Sequence, residues 1–196
     1  MSTIAILRQL PLLFRHTDVQ KFTGNANVFL TRAQAKGFVE RVARGVYINA
    51  LRDARPGIEE VACFLRTPSY VSCEWALNRH SVLRQAPFFC TVLTLDSAVG
   101  AKHSLVFDGV TIEFSRISAK LFNGFEAREG YNLAWPEKAL LDAMHLRKAI
   151  PFRDELELEA LDMKRLENLA DAFAAPTRRL AAEVMALAEE ENAVKK

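Results

Sequence analysis

Residues 12–49, LLFRHTDVQKFTGNANVFLTRAQAKGFVERVARGVYIN, read as helix, turn, second helix and a short two-stranded hairpin. Thr17 is placed to cap a helix beginning at Asp18, its hydroxyl accepting an N–H that the first turn leaves unpaired. Val19 and Phe22 give that helix its apolar side. Gly24-Asn25 closes it, because both residue types tolerate the left-handed backbone of a helix end. A longer helix follows over residues 27–36, with Thr31 able to bond back to the preceding turn, and Gly37 stops it. Residues 38–42 and 45–48 then suit paired strands joined at Arg44-Gly45. Helix-turn-helix plus hairpin is the plan of a winged helix.

Charge follows the same division. Residues 1–50 carry seven basic side chains against two acidic ones, a net of +5. A duplex is a dense line of phosphates, and displacing its counterions is what a basic surface of this kind is good for. Arg32 and Lys36 are four apart and share one helix face, which makes them groove candidates. Arg41 and Arg44 lie at the hairpin tip, where a wing touches backbone. With Arg15, Lys21 and Asn27 they complete the candidate DNA-binding set. The plainer readings are a solvated basic surface, or a winged helix that docks protein instead of DNA.

The whole chain has 196 residues, half of them hydrophobic, and a net charge of only +2. Residues 51–149 are nearly neutral at +1 and residues 150–196 stand at −4, so a positive head faces a negative tail. Nucleic acid at one end fits that asymmetry. So does head-to-tail association with a second copy. No apolar run is long enough to cross a bilayer, no signal-peptide pattern opens the chain, and Cys63, Cys73 and Cys90 lack C-x-x-C spacing. They read as reduced, semi-buried residues of a cytoplasmic protein.

Ahead of the quoted stretch, residues 1–10 form a first helix with Ile4, Leu7 and Leu10 inward and Ile6 adding width to the apolar side, ended by Pro11. Behind it, residues 51–57 lose periodicity and hold Pro56-Gly57, a turn signal. The expected domains are therefore residues 1–52 and 57–196. Helix returns at residue 58, with Val61, Phe64 and Leu65 buried, and again after Ser72, which is placed to cap it. Ser72 and His80 would lie about 12 Å apart along that helix, too far for a nucleophile and its base. Residues 88–95 read as a strand, and residues 105–114 as a hairpin turning on Asp108-Gly109. Ile117 with Leu121-Phe122, and residues 131–134, supply further short strands. Pro136 fits the first position of the next helix, where Lys138 and Asp142, four apart, read as an exposed ion pair. Trp135 is placed to anchor that helix to the sheet, the alternative being a partner surface. The acidic tail alternates Asp154, Glu155, Glu157, Glu159 and Asp162 with Leu156, Leu158 and Leu161. It continues over Leu166, Leu169 and Phe173 and ends in a last helix, residues 177–191, with Leu180, Val184 and Leu187 inward and a fraying end through Lys196. The fold class expected is α+β: a winged helix-turn-helix, then a mixed α/β domain with a small sheet and C-terminal helices.

No enzyme is expected. His16, His80, His103 and His145 are scattered without ligand spacing, no glycine-rich loop follows a strand, and Asp108 and Glu113, five apart, point to opposite strand faces. No catalytic residue, metal or cofactor is assigned.

Three motifs in order carry a resemblance. Residues 35–47 (AKGFVERVARGVY), 68–77 (PSYVSCEWAL) and 134–142 (AWPEKALLD) together resemble the AbiEi-like antitoxins of bacterial type IV toxin–antitoxin and abortive-infection systems. Departures fall at Trp75, where a small hydroxyl residue is usual, and at Cys73, where glycine is common. The resemblance implies a winged helix that binds repeats in double-stranded DNA of its own promoter and represses it, with self-association on those repeats. It further implies a second domain that counters a cognate nucleotidyltransferase-like toxin, although solitary regulators without a toxin also occur in the family. By that likeness Arg32, Lys36, Arg41 and Arg44 fall in the DNA-facing helix and wing.

Overall fold

The chain enters the structure, a computed structural model describing residues 2–194, through a helix shorter than expected. α1 spans Thr3–Leu7, capped by Ser2, whose Oγ accepts the Ala5 N–H at 3.3 Å. It ends before Pro11 because Asn49 Nδ2 takes the Leu7 and Leu10 carbonyls at 2.8 and 3.2 Å. Over so short a helix Ile6 turns inward as expected, with Leu7 and Leu10, while Ile4 stays exposed. The expected helix start at Met1, and the fraying end at Lys195-Lys196, lie outside the described residues.

Residues 12–14 do more than join a core. Leu13–Arg15 forms β1, antiparallel to Val46–Asn49 (β3), which also pairs with Val39–Ala43 (β2) in the order β1-β3-β2. The hairpin turns at Arg44-Gly45 as expected, and β2 carries one extra residue between Arg41 and Ala43. α2 is His16–Gln20, starting earlier than expected. The Asp18 carboxylate closes its first turn by accepting the Arg15 N–H at 2.8 Å, while Thr17 stays exposed. Gly24 has no left-handed backbone to supply, since Phe22 and Thr23 already bond the Val19 carbonyl. Asn25 instead caps α3 (Ala26–Ala35), accepting the Val28 N–H. Gly37 does stop that helix. At φ +70° it lets Phe38 N bond Ala33 O and Gly37 N bond Gln34 O, both at 2.9 Å, the paired closure of a Schellman end.

The remainder builds one mixed sheet with helices: α4 (Ile58–Leu65), β4 (Ser69–Ser72), α5 (Cys73–Arg79), β5 (Phe89–Thr94), β6 (Leu105–Phe107) and β7 (Val110–Arg116) come first. Then follow β8 (Phe125–Arg128), β9 (Tyr131–Ala134), α6 (Pro136–Arg147), α7 (Met163–Ala170) and α8 (Ala175–Val194). Strand order is β6-β7-β5-β4-β9-β8, with β5/β7 and β4/β9 parallel and the other pairs antiparallel. The fold is thus α+β, with a sheet of six strands where a small one was expected. Residues 69–72 are a strand, and Ser72 does not cap α5 with its side chain: its hydroxyl donates to Asp142 at 2.8 Å. The strand expected around Ile117 and Leu121 is a short 3-10 turn over Ala119–Leu121, and β8 takes its place at the sheet edge. In α8 the buried line is Thr177, Ala181, Val184 and Ala188, so Leu180 and Leu187 are only half-buried.

Two apolar clusters result. The smaller gathers Leu7, Leu10, Phe14, Val19, Leu30 and Tyr47, and the larger surrounds the six-stranded sheet. β3 serves both, because its alternate residues point to opposite faces: Tyr47 enters the first cluster, Val46 and Ile48 the second. All three cysteines are buried and form no disulfide. Among the described residues no helix is long and apolar enough to cross a membrane.

Candidate nucleic-acid interface

α3 and the β2–β3 hairpin face each other across a groove of about 520 Å³. Its polar lining is His16, Asn27, Thr31, Gln34, Arg41 and Arg44. Asn27, Thr31 and Gln34 stand at i, i+4 and i+7 and so form one helix stripe. His16 Nε2 and Asn27 Oδ1 lie 2.8 Å apart, tying the start of α2 to the start of α3. On the opposite wall the extra residue in β2 twists the hairpin, as bulges do, and Arg41 folds back toward its own strand, its Nε donating to Ala43 O at 3.4 Å. Arg44, at the tip, is exposed and forms no ion pair among the described residues.

The structure thus brings together Asn27, Arg41 and Arg44 of the expected set and adds His16, Thr31 and Gln34. The period-3.6 polar stripe was the signal for the latter two. Arg32 and Lys36 do share a face, but Arg32 lies about 100° round the helix from Thr31 and Lys36 further still, on the flank away from the groove. Both are exposed and unpaired among the described residues. Lys21 is also exposed and is engaged with Asp18 at 2.8 Å. Arg15 is a correction. Its guanidinium lies 4.7 Å over the Phe64 ring of α4 and donates to the Phe64 carbonyl at 2.5 Å. It faces the seam with the larger sheet, not the groove.

The two acids of this region are both taken. Lys21 bonds the Asp18 carboxylate, and holds its pKa below the usual carboxylate range with help from the Arg15 N–H. Glu40 is bonded by Arg55 at 2.9 Å, which also reaches Asp108 at 2.6 Å. The groove's own charge is left uncompensated and positive.

No protein-family model matches the chain, and no curated protein matches it. In fold it is similar to the crystal structure of RV2827C protein from Mycobacterium tuberculosis, with a TM-score of 0.60 and 12% identity over 93% of this chain and 74% of that one. At that identity the likeness speaks for the fold alone.

A second set of polar residues lies in the larger core. Lys138 and Asp142 are not an exposed pair: both side chains are at 0% exposure and bonded to each other. Asp142 Oδ2 accepts from Ser72 at 2.8 Å and Tyr70 at 3.0 Å, and Lys138 Nζ donates to Tyr70 Oη at 2.7 Å. Burial lowers the Lys138 pKa and raises that of Asp142, against the attraction of each for the other. Burial, with Asp142 adjacent, likewise pushes the Tyr70 phenol up, so it stays a donor. Glu137, also buried, accepts the Asp162 N–H at 2.8 Å ahead of α7. The PSYVS and PEKALLD motifs therefore bond one another across β4 and α6 and hold the fold. His80 bonds the Ala134 carbonyl, and His145, its pKa lowered by burial, packs on Phe173. Among the described residues no three His, Cys, Asp or Glu side chains are placed to hold a metal ion.

Proposed function

We propose that this chain is a winged-helix DNA-binding protein that represses its own promoter, with α3 as the recognition helix and the β2–β3 hairpin as the wing. The observation that carries the reading is the groove itself: a polar helix stripe opposite two arginines, with no Asp or Glu in the lining and the neighbouring acids paired with Lys21 and Arg55. A major groove admits one α-helix, and hairpin arginines suit the flanking phosphates. The second half of the proposal, that residues 57–196 form an antitoxin domain countering a nucleotidyltransferase-like toxin, rests on the sequence resemblance. It needs no catalytic site in this chain.

A gel-shift titration against the DNA just upstream of the gene, beside a scrambled duplex of equal length and at two salt concentrations, tests the first half. Selective, salt-sensitive binding is expected, and Arg41→Ala or Arg44→Ala should weaken binding to every duplex and reduce the salt slope by about one each. Equal, weak binding to both duplexes would favour docking of protein. The exposed Phe88, Phe89 and Phe152, beside the Glu74–Arg147–Glu113 ion pairs, offer a surface for that second reading.

A further inference from the structure

The other side of the hairpin carries a cleft that the DNA reading uses only at Arg44. It encloses about 310 Å³ at the seam between β2–β3 and the six-stranded sheet. Arg15, Arg44, Arg66, Lys102 and His103 line it, and no Asp or Glu does. Two of the cations are fixed in place. Arg15 is held over Phe64 as described. Arg66 lies 4.9 Å over the Phe114 ring, with Nε on Ala98 O at 3.2 Å and Nη1 on Leu65 O at 3.1 Å. Nη2 of Arg66 and Nη1 of Arg15 bond no acceptor among the described residues. Lys102 and His103 are exposed, with no side-chain hydrogen bond or ion pair there. The acid whose field reaches Arg66 and His103 is Asp96, and its carboxylate is already bonded by the Ala98 N–H at 3.0 Å. The apolar part of the lining includes Leu65, Leu105 and Phe114.

Like charges gathered with no carboxylate among the lining residues repel one another, and guanidinium edges held ready match a phosphate's acceptors. The apolar part of the lining adds a requirement that bare phosphate, or a passing DNA backbone, does not meet. The volume lies at the lower end of the roughly 300–1,000 Å³ of small-molecule sites, which favour seams between packed units. We propose that this cleft binds a small organic phosphate, the phosphate held by Arg66, Lys102 and Arg44 and the organic body lying on Leu65, Leu105 and Phe114. Because Arg44 lines both this cleft and the α3 groove, occupancy competes for it and weakens duplex binding. That consequence rests on the DNA reading; the site itself does not.

Isothermal titration of the full chain without DNA tests the site, using adenosine 5′-monophosphate, adenosine and inorganic phosphate as probes. The nucleotide should bind saturably, one per chain, at least about tenfold more tightly than either fragment. Lys102→Ala with His103→Ala should cost about tenfold at unchanged melting temperature, since neither side chain supports the fold. Arg66→Lys, which keeps the charge but not the guanidinium edge, should also weaken binding. Absence of saturable heat from the nucleotide at millimolar concentration, or wild-type affinity in the double variant, overturns the site. Duplex titrations with and without saturating nucleotide test the coupling, expected at about fivefold or more. Nucleotide binding with unchanged duplex affinity overturns the coupling alone. Nucleotide binding by a chain that shifts no duplex overturns the DNA reading and leaves the site standing.

Discussion

At positions 138 and 142 the chain places an ammonium and a carboxylate where water does not reach, and the two hydroxyls of Tyr70 and Ser72 complete their bonding. Such a pair is costly to bury and costlier to halve. Lys138→Met should destabilise the protein by about 3–5 kcal/mol, because it leaves an uncompensated carboxylate in the core. The pH dependence identifies the cause. With the ammonium gone, the Asp142 pKa, already raised by burial, rises further, so the native state binds a proton that the unfolded state does not. Stability then falls as pH rises from the unfolded carboxylate value through the folded one. Urea unfolding should therefore show a smaller loss at pH 5 than at pH 7; an equal loss at both would mean that lost packing, not a stranded charge, is responsible. The sequence did display the warning. Between Glu137 and Met144 every other residue is Ala or Leu, and a helix apolar on all sides is a buried helix. Spacing alone, which makes 138 and 142 neighbours, says nothing about which side water is on. The partners sit about seventy residues away on a strand that the propensities of residues 69–80 merge with the following helix.

Among the elements, the helices and hairpin of residues 12–49 were legible where backbone geometry admits one residue type, and less so where any polar residue serves. Gly37 is the first kind. Gly37→Ala should cost about 1–2 kcal/mol, since its φ of +70° strains any L side chain, and no neighbour would clash to confuse the result. Gly24, read from sequence as a similar helix end, has neither positive φ nor crowding. Gly24→Ala should be neutral or slightly stabilising through the unfolded chain. Thermal melts of the two variants side by side test whether α2 ends as described; equal destabilisation would restore the left-handed closure at Gly24. β1 was missed because three residues between two helices carry no period long enough to read. The recognition surface of α3 sharpens in the same way. On the proposed DNA reading, Asn27→Ala with Gln34→Ala, from the stripe that lines the groove, should lower the ratio of operator to random-duplex affinity, whereas Arg32→Ala with Lys36→Ala, on the far flank, should leave that ratio unchanged. A ratio lost in the Arg32/Lys36 pair and preserved in the Asn27/Gln34 pair would move recognition to the flank.

For the molecule as a whole, the turn-rich joint at residues 51–57 marks a real change of core but not a break in packing. Nothing in the local sequence shows that β3 is covered on both faces, because its four residues Val46, Tyr47, Ile48 and Asn49 are apolar or small enough for either side of a sheet. Burial of all four is a tertiary fact, and so is the bridging of Glu40 and Asp108 by Arg55 from within the joint itself. Two cores that share a strand cannot lose it separately. Residues 57–196 contain both tryptophans, Trp75 and Trp135, so fluorescence reports the larger part while far-UV dichroism reports every helix and strand. Urea titrations followed by the two probes should superimpose in a single transition, the signature of cooperative unfolding. Ile48→Ala, which opens a cavity on the larger cluster from a strand of the smaller one, should cost about 2–5 kcal/mol and move both curves together. If dichroism instead separates into two steps while fluorescence follows only one, the shared strand does not couple the cores. The cleft at their seam would then lie between parts free to separate, and the proposed ligand there could not draw Arg44 away from a duplex.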